Sequence, residues 1–230
     1  MEVSEGEAET SLVRFEREVH LSAHLTHPHT IQIYDFGRME DTYFIAMEYI
    51  NGESIAAVLR RTRLPIKYCA RIIANTAAGI HAAHELCGQD GELIRVVHRD
   101  VSPHNILVGY NGSVKVVDFG VAKAKGSLHT STVGTIKGKF GYMAPEQIAG
   151  EEVDRRVDIF ALGIVLYEML TQRTPFEADT PLAVLMKHVN DPLPLPRKID
   201  PTIPEPFERI VLKALAKRPD DRYQNAEEMG

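Results

Sequence analysis

The sequence predicts an α+β fold, with a small mixed segment up to about residue 50 and a larger, mainly helical one after it. Three observations carry this. Strand-like stretches, IQIYDFG (31–37) and TYFIAMEYI (42–50), cluster in the first part. Helical patterns dominate from residue 51 onward. Two more short strands and a long polar loop belong at the junction of the two parts.

The elements follow in order. MEVSEGEAET (1–10) holds four Glu and no basic residue, and reads as a solvated, disordered lead-in. Residues 11–25 form a helix with a broken apolar face of Phe15, Val19, Leu21 and Leu25, and with Ser11 available as N-cap. Pro28 ends that stretch by biasing His27 away from helix. GRMED (37–41) turns the chain between the first two strands, and ESIAAVLRR (53–61) makes a short helix. Pro65 opens a long helix to about Leu86. NILVG (105–109) and SVKVVDFG (113–120) are strands around Tyr110–Asn111–Gly112. Residues 121–140 are rich in Gly, Ser and Thr without a period, and a long loop inside a compact domain is usually functional. Helices return at Val157–Leu170, Pro181–His188 and Pro206–Ala216, with PLPLP (192–196) as a surface loop. NAEEMG, at the end, reads as the opening of a further helix.

Composition excludes several classes of function. The formal charge is −6 with no basic tract, so nucleic-acid binding has no electrostatic support. Cys69 and Cys87 lack metal-ligand spacing and imply a reducing, cytoplasmic compartment without a disulfide framework. The longest apolar run, Ile159–Tyr167, is too short to span a bilayer and reads as a buried helix. The acidic first residues fit neither a signal nor a transit peptide. His24, His27 and His29 have no suitably spaced Cys or carboxylate and read as structural, and His81 and His84 as packing residues.

The chemistry lies in three motifs. His98, Arg99 and Asp100 with Asn105 match H-R-D-x-x-x-x-N; Asp118, Phe119 and Gly120 make DFG; Ala144, Pro145 and Glu146 make APE. Taken alone, an Asp, an Asn and a second Asp could be a Ca²⁺ site or plain turn residues; it is the three motifs together, in this order, that are specific. From Ser11 onward the chain resembles a eukaryotic-type protein kinase domain, and is most similar to the bacterial serine/threonine kinases. The resemblance implies a bilobal protein-kinase fold, with a truncated N lobe over residues 11–50 and a C lobe over 51–230. It implies ATP and Mg²⁺ as cofactors and Ser or Thr of proteins as acceptor.

The resemblance also assigns roles. Asp100 would accept the proton of the substrate hydroxyl, and Asn105 and Asp118 would hold Mg²⁺. Met47 would be the gatekeeper, the backbones of Glu48 and Ile50 would meet the adenine edge, and Leu107 would pack under the ring. Glu18 matches the helix Glu that pairs with the nucleotide-binding Lys; taken alone it reads as a surface helix charge. Asp158 looks like the buried Asp that braces the HRD turn, and Arg222 like the partner of Glu146. Arg99 would receive a phosphate on the long loop, where Ser127, Thr130, Ser131, Thr132 and Thr135 are candidate sites, including for self-phosphorylation.

The chain departs from the family pattern in four places. Ser102 stands where Lys usually contacts the γ-phosphate, and Lys139 where Thr usually bonds the catalytic Asp. Either the two side chains have exchanged duties or Lys139 points to solvent; a long, flexible cation makes the exchange feasible. His104 replaces an acidic residue that often reads basic substrates. No G-x-G-x-x-G lies upstream of Glu18, and no Lys before Lys67. Three explanations of that last departure stand: a piece of a longer kinase, a kinase-like binding module without catalysis, or an unusual grip on the nucleotide.

Overall fold

The computed structural model describes residues 24–40, 42–88, 90–119 and 140–230. The expected helix over 11–25 lies almost wholly outside them. β1 (Ile33–Met39) and β2 (Thr42–Met47) form an antiparallel hairpin in which Met39 pairs with Thr42. The turn is therefore tighter than GRMED suggested: Gly37–Met39 stay in the strand, and Glu40 takes the left-handed conformation, φ 55°.

A second sheet runs β3 (Gly52–Ser54), β4 (Ile106–Gly109), β5 (Val114–Val116), all antiparallel. β3 corrects the expected helix over 53–61. Glu53 and Ser54 pair with β4, and helix α1 covers only Ile55–Leu59, with the Ser54 hydroxyl accepting from the Ala57 amide at 3.2 Å as its cap. Gly52 permits the pairing, since a Cβ there would sit 2.1 Å from the Val108 carbonyl oxygen.

The larger part is built around α4 (Arg156–Thr171), which is buried on every side from Val157 to Leu170 apart from Glu168. The apolar run 159–167 is thus a core helix. Each fully buried Leu or Ile there contributes about 1.5–3 kcal/mol relative to exposure. α2 (Ile66–His84) packs between α4 and β5 through Ile73, Ala77 and Ile80, with His84 on the same stripe. α3 (Pro145–Ala149), α5 (Pro181–Asn190), α6 (Pro196–Ile199) and α7 (Glu205–Ala214) complete the helices. α3 and α5 pack together, and α7 lies on α4. NAEEMG carries only a 3-10 turn, Glu227–Met229. Among the described residues no helix is long and apolar enough to cross a membrane.

Residues 29–31 join the two parts. The Val116 amide donates to the His29 carbonyl and the Ile31 amide to the Val116 carbonyl, both at 2.9 Å. Lys115 Nζ reaches the Glu48 carboxylate at 2.8 Å and the Thr30 carbonyl at 3.2 Å. His29 Nδ1 lies 3.1 Å from the Val114 carbonyl.

Candidate active site

The loop from His98 to Asn105 is held from below by one carboxylate. Asp158, in the first turn of α4, accepts from the His98 amide at 2.8 Å, the Arg99 amide at 2.7 Å and His84 Nε2 at 2.8 Å. Asp158 and His84 are both 1% exposed. Burial alone would push the Asp158 carboxyl up, but the His84 hydrogen bond and the nearby imidazoles hold it below the ordinary value. His84 is therefore more than the packing residue the sequence suggested. Its signal was available, because it stands on the apolar stripe of α2 where a polar group needs a partner. His81 also departs from simple packing, with Nε2 3.4 Å from Glu227.

The His98 ring ties the loop to the strand end beyond it. Nε2 donates to the Val117 carbonyl at 3.0 Å, Nδ1 accepts from the Asp100 amide at 3.3 Å, and the ring lies 4.7 Å from that of Phe119. These two bonds require the neutral tautomer with hydrogen on Nε2. From the other side, the Val117 amide donates to the Asn105 carbonyl at 3.0 Å. Asn105 Nδ2 donates to the Asp100 carbonyl at 2.9 Å. With its amide hydrogen spent inside the loop, Asn105 keeps Oδ1 as an acceptor. Asp118 follows Val117 and is exposed. Asp100 and Asn105 are thus knit into one hydrogen-bonded cluster where β4 begins and β5 ends, with Asp118 one residue beyond Val117.

Arg99 and Asp118 both take positive φ, 62° and 60°. Such conformations cost about 1–3 kcal/mol each and persist only where the surroundings fix them, and they cluster at functional sites. Ser102 is buried and its carbonyl accepts from the Asn105 amide at 3.0 Å. The Pro103 carbonyl accepts from Ala56 at the start of α1. His104 is exposed.

Of the residues assigned to adenine, Met47 ends β2, Glu48 and Ile50 follow it, and Leu107 lies in β4. The Glu48 amide donates to the Gln32 carbonyl at 2.8 Å, so what its backbone can still offer is the carbonyl oxygen. Met47 is exposed, Ile50 half-buried, and Leu107 half-buried in β4. Farther off, Glu146 and Arg222 form a buried bidentate pair at 2.6 and 2.8 Å. Arg222 also donates to the carbonyls of Ala216, Lys217 and Arg156. A pair so enclosed fixes geometry more surely than it adds stability.

Glu18, Gly120, Lys139 and the hydroxyls of Ser127, Thr130, Ser131, Thr132 and Thr135 lie outside the described residues. The donor set that is described fits a hard divalent cation: an exposed carboxylate and a side-chain amide oxygen, with the acceptor capacity of both left to be used.

Comparison with known proteins gives one family throughout. Residues 2–229 match the family described as "Protein kinase domain". The chain is 46% identical over 218 residues to the "Tyrosine-protein kinase MasK" of Myxococcus xanthus, covering 93% of this chain and 34% of that protein. It is 37% identical to the "Serine/threonine-protein kinase PrkC" of Bacillus subtilis over 94% of this chain and 32% of that protein. It is 41% identical to the "Serine/threonine-protein kinase PknB" of Mycolicibacterium smegmatis over 94% and 35%. The chain thus spans about a third of the length of these curated relatives. Among solved structures, the kinase domain of PknI from Mycobacterium tuberculosis superposes with a TM-score of 0.71 at 25% identity, over 96% of this chain and 77% of that one.

Proposed function

Because this chain belongs to the protein kinase family, we propose that the protein carrying it transfers the γ-phosphate of ATP to Ser or Thr hydroxyls of other proteins. The family uses ATP and typically Mg²⁺. When bound, MgATP supplies the phosphoryl group and the cation that neutralises its charge. Asn105 Oδ1 and the Asp118 carboxylate would hold the cation. Asp100 would orient the acceptor hydroxyl and take its proton. Its geometry is supported by Asn105 at its carbonyl and His98 at its amide. The carbonyl of Glu48, the backbone of Ile50 and the side chains of Met47 and Leu107 would form the adenine site. Arg99 and Phe119 would couple the cluster to the loop that follows. The stretch Phe140–Ala144, between that loop and α3, would face the protein substrate.

The observation that carries this reading is the hydrogen-bonded knot of Asp100, Asn105, His98 and Val117, which holds the Asp100 backbone and the Asn105 side chain beside the strand end that leads into Asp118. It speaks against the binding-module alternative, since a binding module has no need of an Asn bonded to the Asp100 carbonyl beside an Asp held at positive φ. We place the domain on the cytoplasmic side, on the strength of two free thiols, Cys69 and Cys87. Self-phosphorylation at Ser127, Thr130, Ser131, Thr132 or Thr135 belongs to the same proposal, as do pairing of Glu18 with a Lys and an ordering role for Gly120.

The test is MgATP-dependent labelling of a generic protein substrate by the full-length protein, followed by identification of the labelled amino acid. Asp100→Asn is expected to lower transfer about 10²- to 10⁴-fold. Undiminished transfer would sink the assignment. Label on Tyr would favour a second reading, a tyrosine acceptor, which similarity to the tyrosine-protein kinase MasK recommends. The exchange of Ser102 and Lys139 has its own test: Lys139→Met is expected to cost roughly 10- to 150-fold, the worth of one charge-assisted contact.

A further inference from the structure

Lys115 is the middle residue of β5. Its neighbours Val114 and Val116 are buried, and its own side chain is only 14% exposed. A Lys so enclosed is kept by its partners. In register it stands directly opposite Leu107 of β4, so the two side chains share one face of the sheet, while Ile106 and Val116 fill the core on the other. Leu107 is the residue assigned to the floor of the adenine site. From beside it the Lys115 ammonium reaches the Glu48 carboxylate at 2.8 Å and the Thr30 carbonyl at 3.2 Å. One side chain therefore ties the sheet under that floor to the edge of the same site.

Glu48 is held firmly on one side and loosely on the other. Its amide donates to the Gln32 carbonyl at 2.8 Å, and its carboxylate accepts from the Gln32 amide at 3.4 Å as well as from Lys115. Beyond it Tyr49 is 86% exposed, and a backbone tie follows at Asn51, whose carbonyl accepts from the Tyr110 amide at 2.9 Å. The Glu48 carbonyl lies between these holds, so its placement depends on how well the Glu48 side chain is anchored. That carbonyl is an acceptor only. Adenine carries an amino donor where guanine carries a carbonyl oxygen. A fixed Glu48 carbonyl pairs with the first and opposes the second; a slack one does less of both.

We propose that Lys115 is a positioning residue for nucleotide choice: by holding the Glu48 side chain against β5 it fixes the Glu48 carbonyl relative to Leu107, and so sets the preference for an adenine over a guanine nucleotide. Lys115 takes no part in the transfer step itself. The proposal rests on the adenine site read above at Glu48 and Leu107.

The experiment measures, in the full-length protein, kcat and KM for ATP and for GTP, KM for a protein substrate, and Tm. Lys115→Met keeps the apolar stem and removes the charge. It is expected to raise KM for ATP about three- to tenfold, the effect of one hydrogen bond. The preference for ATP over GTP, read as the ratio of their kcat/KM values, is expected to fall by at least as much. KM for the protein substrate is expected to move by less than about twofold. Lys115→Arg, which keeps the cation, is expected to return both nucleotide readouts to within about twofold of wild type. Glu48→Gln removes the partner charge and leaves the backbone in place. It is expected to match Lys115→Met, and the two changes together to do no more than either alone, because both act through one contact. If Lys115→Met fails to fold, Glu48→Gln carries the same expectation. An unchanged preference for ATP over GTP in the folded variants, or KM values for ATP, GTP and protein substrate that rise together as Tm falls, would overturn the inference while leaving the phosphotransferase reading intact. So would a wild-type protein that uses both nucleotides equally. A wild-type protein that transfers phosphate from neither would overturn that reading, and the inference with it.

Discussion

From His98 to Phe119 the chain is tied down by partners inside the fold: Asp158 under two successive amides, the His98 ring on Val117, and Asn105 on the Asp100 carbonyl. The β1–β2 hairpin is held differently. Its strands bond to each other, Tyr34 and Met39 are 70% and 71% exposed, and Phe44 and Met47 are also open to solvent. Among the described residues, its ties to the larger part include residues 29–31 along β5 and the Lys115–Glu48 pair. The difference is one of demand. Two left-handed residues, Arg99 and Asp118, need a frame that over-determines them, and that frame is polar and buried. A hairpin that offers a carbonyl and a few apolar contacts needs no such frame.

The largest expected effect comes from removing the frame. Asp158→Ala leaves the amides of His98 and Arg99 and the His84 ring without their acceptor in a buried place. It is expected to destabilise by about 3–5 kcal/mol and to abolish transfer. Urea unfolding, together with a transfer assay on whatever remains folded, checks both. A loss under about 1 kcal/mol would mean that the catalytic loop is held elsewhere.

A second effect is read from pH. Burial first, and Lys217 second, push the His188 imidazole down to about 4 from its ordinary 6.5. Between those values the unfolded chain takes up a proton that the folded chain refuses. Stability therefore falls as pH drops from about 6.5 toward 4, by up to about 3 kcal/mol, and this contribution is flat above 6.5. His188→Leu removes it. The difference between wild type and variant across that window isolates His188 from the other histidines; parallel curves would show that its ring titrates as if exposed.

What the sequence made legible follows the same divide. HRD, Asn105, DFG and APE could be read because the chemistry demands those residue types at that spacing, and α4 because an apolar run with no polar face has only the core to occupy. β3 could not be read. Glu53 and Ser54 look like the start of a helix, and only pairing with β4, far along the chain, makes them strand. Nor could the pairing of His84 with Asp158 or the enclosure of His188 by Phe160 and Phe176, since both are contacts between elements distant in sequence. Identity fixes what a group can do; the frame that holds it is assembled from residues whose partners no local pattern names.

The smallest effect tests the other side of the comparison. Met39 pairs with Thr42 at the tip of the hairpin, and its side chain is mostly in water. Met39→Ser removes little buried area and leaves the ladder intact, so its cost is expected to be within about 0.5 kcal/mol. Ile106→Ser, in β4 directly after Asn105, removes a fully buried side chain and puts a hydroxyl in the core. That change is expected to cost several times more, about 2–5 kcal/mol. Both are strand residues next to a turn or loop, so local propensity does not separate them; burial does. Measured side by side by urea unfolding, a Met39→Ser loss as large as that of Ile106→Ser would show that the exposed face of the hairpin is covered in the full-length protein. It would then belong with the buried frame after all.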